Sequence, residues 1–211
     1  MTTTLTLSEV EATALKAARG AGMTWGMAEE AAFAARWLAD LGLDGLTLLA
    51  HHLTRTPLET RPTHENHRWR AATGGHLCPI AAGTALSDHF HLPEGPLAHP
   101  VDLLDLTAPA LILPFLAAAS ARSGTVVIAH WHGCTAILTP GTMALSGRDH
   151  LLTNHATLVT VTAALTIPKA QGRSALPPMT EQLLQTMVNR TYVPASDQSR
   201  RGAGSSGTDN S

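Results

Sequence analysis

"TVVIAHWHGCTAILTPG", residues 125–141, decides the fold class. β-Branched residues alternate with small or polar ones on both sides of His132–Gly133, a pair suited to a two-residue turn, so Thr125–Leu138 predicts a β-hairpin. "ATLVTVTAALTI" at Ala156–Ile167 repeats the strand signature and stops at Pro168. Arg68–Ala71 adds a short strand within residues 54–100, a segment otherwise broken up by proline and glycine.

These strands contrast with a helical opening. Ser8, with Glu11 three residues on, offers a capping box that starts a helix near Glu9, and Gly20 and Gly22 end it. "WGMAEEAAFAARWLADL" from Trp25 to Leu41 predicts a second helix with Phe33, Trp37 and Leu41 on its apolar face. A third follows near Leu46–Leu53. Val101–Arg122 reads as a helix with an entry turn, and "MTEQLLQTMVNRTY" at 179–192 as a last amphipathic helix. The expectation is an α+β fold: an N-terminal helical unit, residues 8–54, packed on a small, mainly antiparallel or mixed sheet with further helices. Residues 1–195 are expected to form one compact domain, and 196–211 a tail that acts as an ordered clamp or lid.

With 14 basic and 16 acidic residues the net charge is -2, too small a field to draw a phosphate backbone or an anionic bilayer, so neither nucleic acid nor membrane is an expected partner. A chain 44% hydrophobic and only 14% charged allows substantial burial and a weakly charged surface, suited to self-association or to another metabolic protein. Cys78 and Cys134 read as free thiols of a reducing compartment. The opening residues lack a secretory pattern, and Ala108–Ala121 falls short of the ~20 apolar residues that span a bilayer. A cytoplasmic protein is expected.

Twelve histidines invite a metal reading. On a strand His130 and His132 would share a face, as a pair of imidazole ligands requires. With His89 and His91 they form the set for a divalent metal such as zinc, the alternative to a chain with no cofactor. The simpler reading puts "HWHG" at an exposed hairpin end, with Trp131 as amphipathic surface. No lysine-bearing phosphate loop, GxGxxG fingerprint or GxSxG elbow is present.

Both ends of the chain carry a further pattern. "RGAGMTWGMAEEAAFAARWL" at 19–38 and "PASDQSRRGAGSSGTDN" at 194–210 resemble the start and finish of an uncharacterised bacterial protein family. Gln198 and Ser211 depart from the acidic residues of that pattern. More faintly, "LADLGLDG" at 38–45 resembles the N-terminal helical pair of the malate/lactate dehydrogenase family that lacks a Rossmann fold, which would imply NAD chemistry; that family's serine–histidine–glycine segment is not reproduced here.

The polar positions of the two terminal patterns are the candidate site. Arg19 precedes a glycine turn and Glu29 and Glu30 follow it, an arrangement that serves as an intramolecular clamp or, beside a pocket, as a place for a carboxylate. In the second case Arg19, Trp25, Arg36, Ser199, Arg200, Asp209 and Asn210 would bind a small carboxylate ligand, and Glu29 or Glu30 would act as general base. The functional expectation is an accessory subunit or small-metabolite-binding protein of a cytoplasmic pathway. The alternatives are a small enzyme moving a proton on, or hydrolysing, a carboxylate-bearing metabolite, and a histidine-rich metal-dependent hydrolase.

Overall fold

The computed structural model describes residues 4–55, 58–164 and 178–191. The chain divides into a first unit, residues 1–168, and a second, residues 169–211, whose described part is a single helix over Pro178–Thr191. The expected last helix is therefore present over Pro178–Thr191, and the proposed tail at 196–211 lies outside the described residues.

In the first unit α1 (Leu7–Gly20), α2 (Trp25–Asp40) and α3 (Gly45–Leu53) form the expected helical opening. The cap of α1 sits two residues earlier than predicted. Thr6 Oγ1 accepts from the Glu9 amide at 3.3 Å and Glu9 Oε2 accepts from the Thr6 amide at 2.8 Å, so the box is Thr6–Glu9 and not Ser8–Glu11. The core face of α2 also differs from the expectation. Ala28, Ala31, Ala32, Ala34, Ala35 and Leu38 are buried, while Phe33 and Leu41 remain exposed, because the small alanine side chains let α1 approach closely.

β1 (Pro62–Glu65) and β2 (Arg68–Ala71) make a hairpin, followed by α4 (Pro79–Asp88) and β3 (Val101–Thr107). A 3-10 turn at Pro109–Ile112 leads into α5 (Leu113–Ser123), then β4 (Val126–Trp131), β5 (Cys134–Thr139), β6 (Thr142–Ser146) and β7 (His155–Ala164). The predicted helix over Val101–Arg122 is thus corrected: its first seven residues are a strand. Leu103 and Leu106 are wholly buried and lie three apart because Asp105 between them, exposed and at φ +52°, interrupts the strand's alternation. Pro114 falls in the first turn of α5, where its missing amide costs no hydrogen bond.

The seven strands form one sheet in the order β1-β2-β3-β7-β4-β5-β6, antiparallel except for the β2–β3 pair. The hairpin expected over Thr125–Leu138 is β4–β5, registered from Val127 opposite Leu138 to Trp131 opposite Cys134. Its turn residues His132 and Gly133 both have positive φ, +42° and +75°, as a primed two-residue turn demands. Trp131 is not amphipathic surface: it is buried and its indole N–H donates to the His150 carbonyl at 3.2 Å. α5 packs on β4 and β5, and α4 packs on α5 and α2, which places the N-terminal end of the sheet and α4 around one cavity. Among the described residues no helix is long and apolar enough to cross a membrane.

Candidate functional site

The cavity has a volume of about 560 Å³ and lies between the start of the β1–β2 hairpin and the outer face of α4. Arg61, His64, Trp69, Asp88 and His89 supply its chemistry, with Glu59 at one side. The hairpin turns at Asn66 and His67, both at positive φ, and this register sets His64 directly across from Trp69. Their rings stack at 5.4 Å and 26°. His89 follows α4 as its C-cap and meets the same indole edge-on at 5.6 Å. Trp69 is 1% exposed, so one rigid buried surface holds two imidazoles.

The chain then loops back on itself. The Leu92 amide donates to His89 O and the Gly95 amide to Leu92 O, returning Glu94 to within 2.7 Å of His89 Nδ1. Hydrogen bonding to its own backbone amide, then to His89, holds the Glu94 carboxyl below the usual range. His64, His89 and Glu94 each offer a ligand atom, and these three atoms lie within 4.8 Å of one another. The Trp69 indole N–H is buried and has no acceptor among the described residues, an arrangement that proteins avoid unless something answers it. Glu59 is already committed, since its carboxylate accepts from the Thr24 amide at the start of α2.

The sequence-predicted residues fall elsewhere or only partly here. His89 belongs to this cluster, His91 is exposed beside Phe90, and His130 is exposed and bonded through Nδ1 to Thr135 Oγ1 at 2.9 Å. His132 sits in the hairpin turn, so it does not share a strand face with His130 as expected. Arg19 reaches the Met23 carbonyl and lies 5.4 Å from the Trp25 ring centre, while the Trp25 indole donates to Glu29 at 2.7 Å. The clamp at the α1–α2 turn therefore runs from arginine through an aromatic ring to the carboxylate, where direct pairing was expected. Arg36 bridges α2 to Glu11 of α1 at 2.9 Å, with both side chains about half exposed, a pairing worth at most about 1 kcal/mol. Ser199, Arg200, Asp209 and Asn210 lie outside the described residues. Arg19→Ala is expected to lower stability by about 0.5–1 kcal/mol through the lost cation–π contact, read from urea midpoints, with no change in binding at the α4 cavity.

Glu29 and Glu30 line a second cavity of about 790 Å³ with Phe33, Ser87, Phe115 and Arg122. It shares Thr84 and Asp88 with the first. Burial, and then the nearby Asp88 and Glu29 carboxylates, push the Glu30 carboxyl up.

Behind α4 the sequence reading missed a buried network. The Thr107 hydroxyl donates to Leu77 O at 3.3 Å and so accepts from His52 Nδ1 at 3.0 Å, which leaves Nε2 as acceptor for the Cys78 thiol at 3.4 Å. The Ala81 amide in turn donates to Cys78 Sγ at the N-cap of α4. Burial pulls His52 down to about 4 and pushes Cys78 up to about 11. Both are therefore neutral, and the thiol is not an activated nucleophile. His52 closing the last turn of a predicted helix was the one available signal.

Residues 5–82 match the model of a family described as "Protein of unknown function (DUF3726)". This segment of the chain is similar to an uncharacterised family. The match takes in α1 to α3, the β1–β2 hairpin and the first residues of α4, and so includes Arg61, His64, Trp69 and the His52–Cys78 pair. It ends before His89 and Glu94. No curated protein matches the chain.

Proposed function

We propose that the protein binds a small carboxylate-bearing metabolite in the cavity between the β1–β2 hairpin and α4. The observation that carries this reading is the placement of Arg61, His64 and His89 around one cavity of metabolite size. Arg61 supplies the fork that pairs with a carboxylate. Asp88, in the same lining, favours a ligand that also carries a hydrogen-bond donor such as a hydroxyl or an ammonium group. Two buried unpaired cysteines support work in a reducing compartment such as the cytoplasm.

The test is calorimetry of the full chain against hydroxy- and amino-carboxylates, each compared with its neutral amide. Carboxylates are expected to bind and amides not, and Arg61→Ala is expected to weaken binding by about 1.5–3 kcal/mol, or roughly 10-fold to 100-fold. Equal binding of acid and amide, or an affinity indifferent to Arg61→Ala, would overturn the reading.

A second reading, proton transfer on the bound metabolite, rests on Glu30. Its carboxyl is shifted toward neutrality in the adjoining cavity, the direction a general base working near neutral pH requires. Turnover abolished by Glu30→Gln with binding intact would support this; binding without turnover of any ligand leaves a binding protein.

A further inference from the structure

We propose that His64, His89 and Glu94 are the protein ligands of a divalent transition-metal ion of the zinc class, held at the wall of the α4 cavity. The site itself stands on geometry; the role of the ion, to share a carboxylate with Arg61, rests on the ligand-binding reading above.

Three ligand atoms already gathered within 4.8 Å come from three separate places: a strand, a helix C-cap and the loop after it. A tetrahedral ion with bonds of ~2.0–2.2 Å wants its ligand atoms roughly 3.3–3.5 Å apart, so the wider separations, up to 4.8 Å, must close while the 2.7 Å pair of His89 Nδ1 and Glu94 Oε1 opens slightly. Glu94 lies in the loop after α4, so rotation of its side chain can make most of this adjustment while the two rings stay on Trp69. His89 Nδ1 and Glu94 Oε1 now lie 2.7 Å apart in a hydrogen bond whose place a bound cation would take.

The donor set selects the metal. Two imidazole nitrogens with one carboxylate suit zinc, cobalt or iron, whereas calcium and magnesium prefer oxygen alone. Three protein ligands also leave a coordination position for water or a ligand oxygen, as sites that act on small molecules do.

Orientation of both rings is fixed by Trp69 rather than by chance exposure. The indole stacks on His64 and meets His89 edge-on, and as a buried residue it cannot move aside. Histidines that are merely solvated need no such floor. The His64–His89 ring separation of 6.1 Å is the result.

The experiment uses the untagged full-length chain, stripped with chelator, reloaded with zinc for elemental analysis and with cobalt(II) for visible absorption. About one equivalent is expected, with the d–d bands of a low-coordinate nitrogen–oxygen site. His64→Ala, His89→Ala and Glu94→Gln are each expected to weaken binding about 10-fold to 100-fold or more. The double variant His130→Ala/His132→Ala is expected to bind as the parent does. Because His64 is exposed, its variant should fold; if its melting transition is lost, His64→Asn takes its place. Uptake below about a tenth of an equivalent, or stoichiometric uptake that survives a folded His64 variant, overturns the proposal. So does metal lost only with His130 and His132. A chain that takes up zinc but no carboxylate sinks the ligand reading and leaves this site standing; one that binds carboxylate without metal does the reverse.

Discussion

Acidification from about pH 6.5 to about pH 4 is expected to remove about 3 kcal/mol of stability through His52 alone. In the unfolded chain this imidazole titrates near 6.5, and in the fold burial pulls it down to about 4. Between those values the unfolded chain binds a proton that the folded chain refuses. Stability is therefore complete above the unfolded value and is lost as pH falls through the window. The refusal has a structural cause: a second proton would place a charge on a buried ring, and Nε2, where it would sit, already accepts from the Cys78 thiol, so that bond would be lost while the one from Nδ1 to Thr107 remained. Urea midpoints of the parent and of His52→Leu, measured across this window, check the result. The variant is expected to be less stable at neutral pH and flatter with pH by that amount; parallel curves would refute the assignment.

Gly95→Ala is expected to cost about 1–3 kcal/mol and to weaken the His64–His89–Glu94 site in the same step. A Cβ at this position would stand 1.8 Å from the His89 carbonyl oxygen and 2.9 Å from that of Phe90. Both obstacles are backbone, so no rotamer change relieves them. Relief would require opening the loop that brings Glu94 back to His89. Gly26→Ala is the matching control, since its Cβ meets nothing within 4 Å in the first turn of α2; a gain of about 0.4–1 kcal/mol is expected there. Melting temperatures and the cobalt spectrum of both variants give the comparison. A Gly95→Ala chain as stable as the parent, with an unaltered spectrum, would show that the loop geometry does not matter.

Legibility in the sequence followed how local the determining physics was. The β4–β5 hairpin was readable because alternation and a histidine–glycine turn lie within fifteen residues. The strand at Val101–Thr107 was not, because Leu104 sits on the less buried face and Asp105, at positive φ, breaks the alternation, leaving a leucine pattern that a helix also satisfies. α4 was hidden by Pro79 and Gly83, read as breakers although proline at the first helical position marks a start. In the site, His89 was among the metal candidates, but its partners were out of reach. His64 joins it only through the β1–β2 register across from Trp69, and Asn66–His67 is not the asparagine–glycine pair that announces such a turn. The charged residues singled out near the first turn instead found one another through Trp25, an aromatic relay that charge patterning does not describe.

The strand order has a consequence for how this molecule is made. β7, the last strand among the described residues, occupies the middle of the sheet, between β3 and β4. A growing polypeptide leaves the ribosome with two half-sheets whose inner edges face each other unpaired, and only residues 155–164 can join them. The partners across β3 and β7 are 48 to 60 residues apart, so closure is slow relative to helix formation in the opening segment. Until that strand arrives, both edges present rows of unpaired backbone groups, the template on which strands of other chains pair.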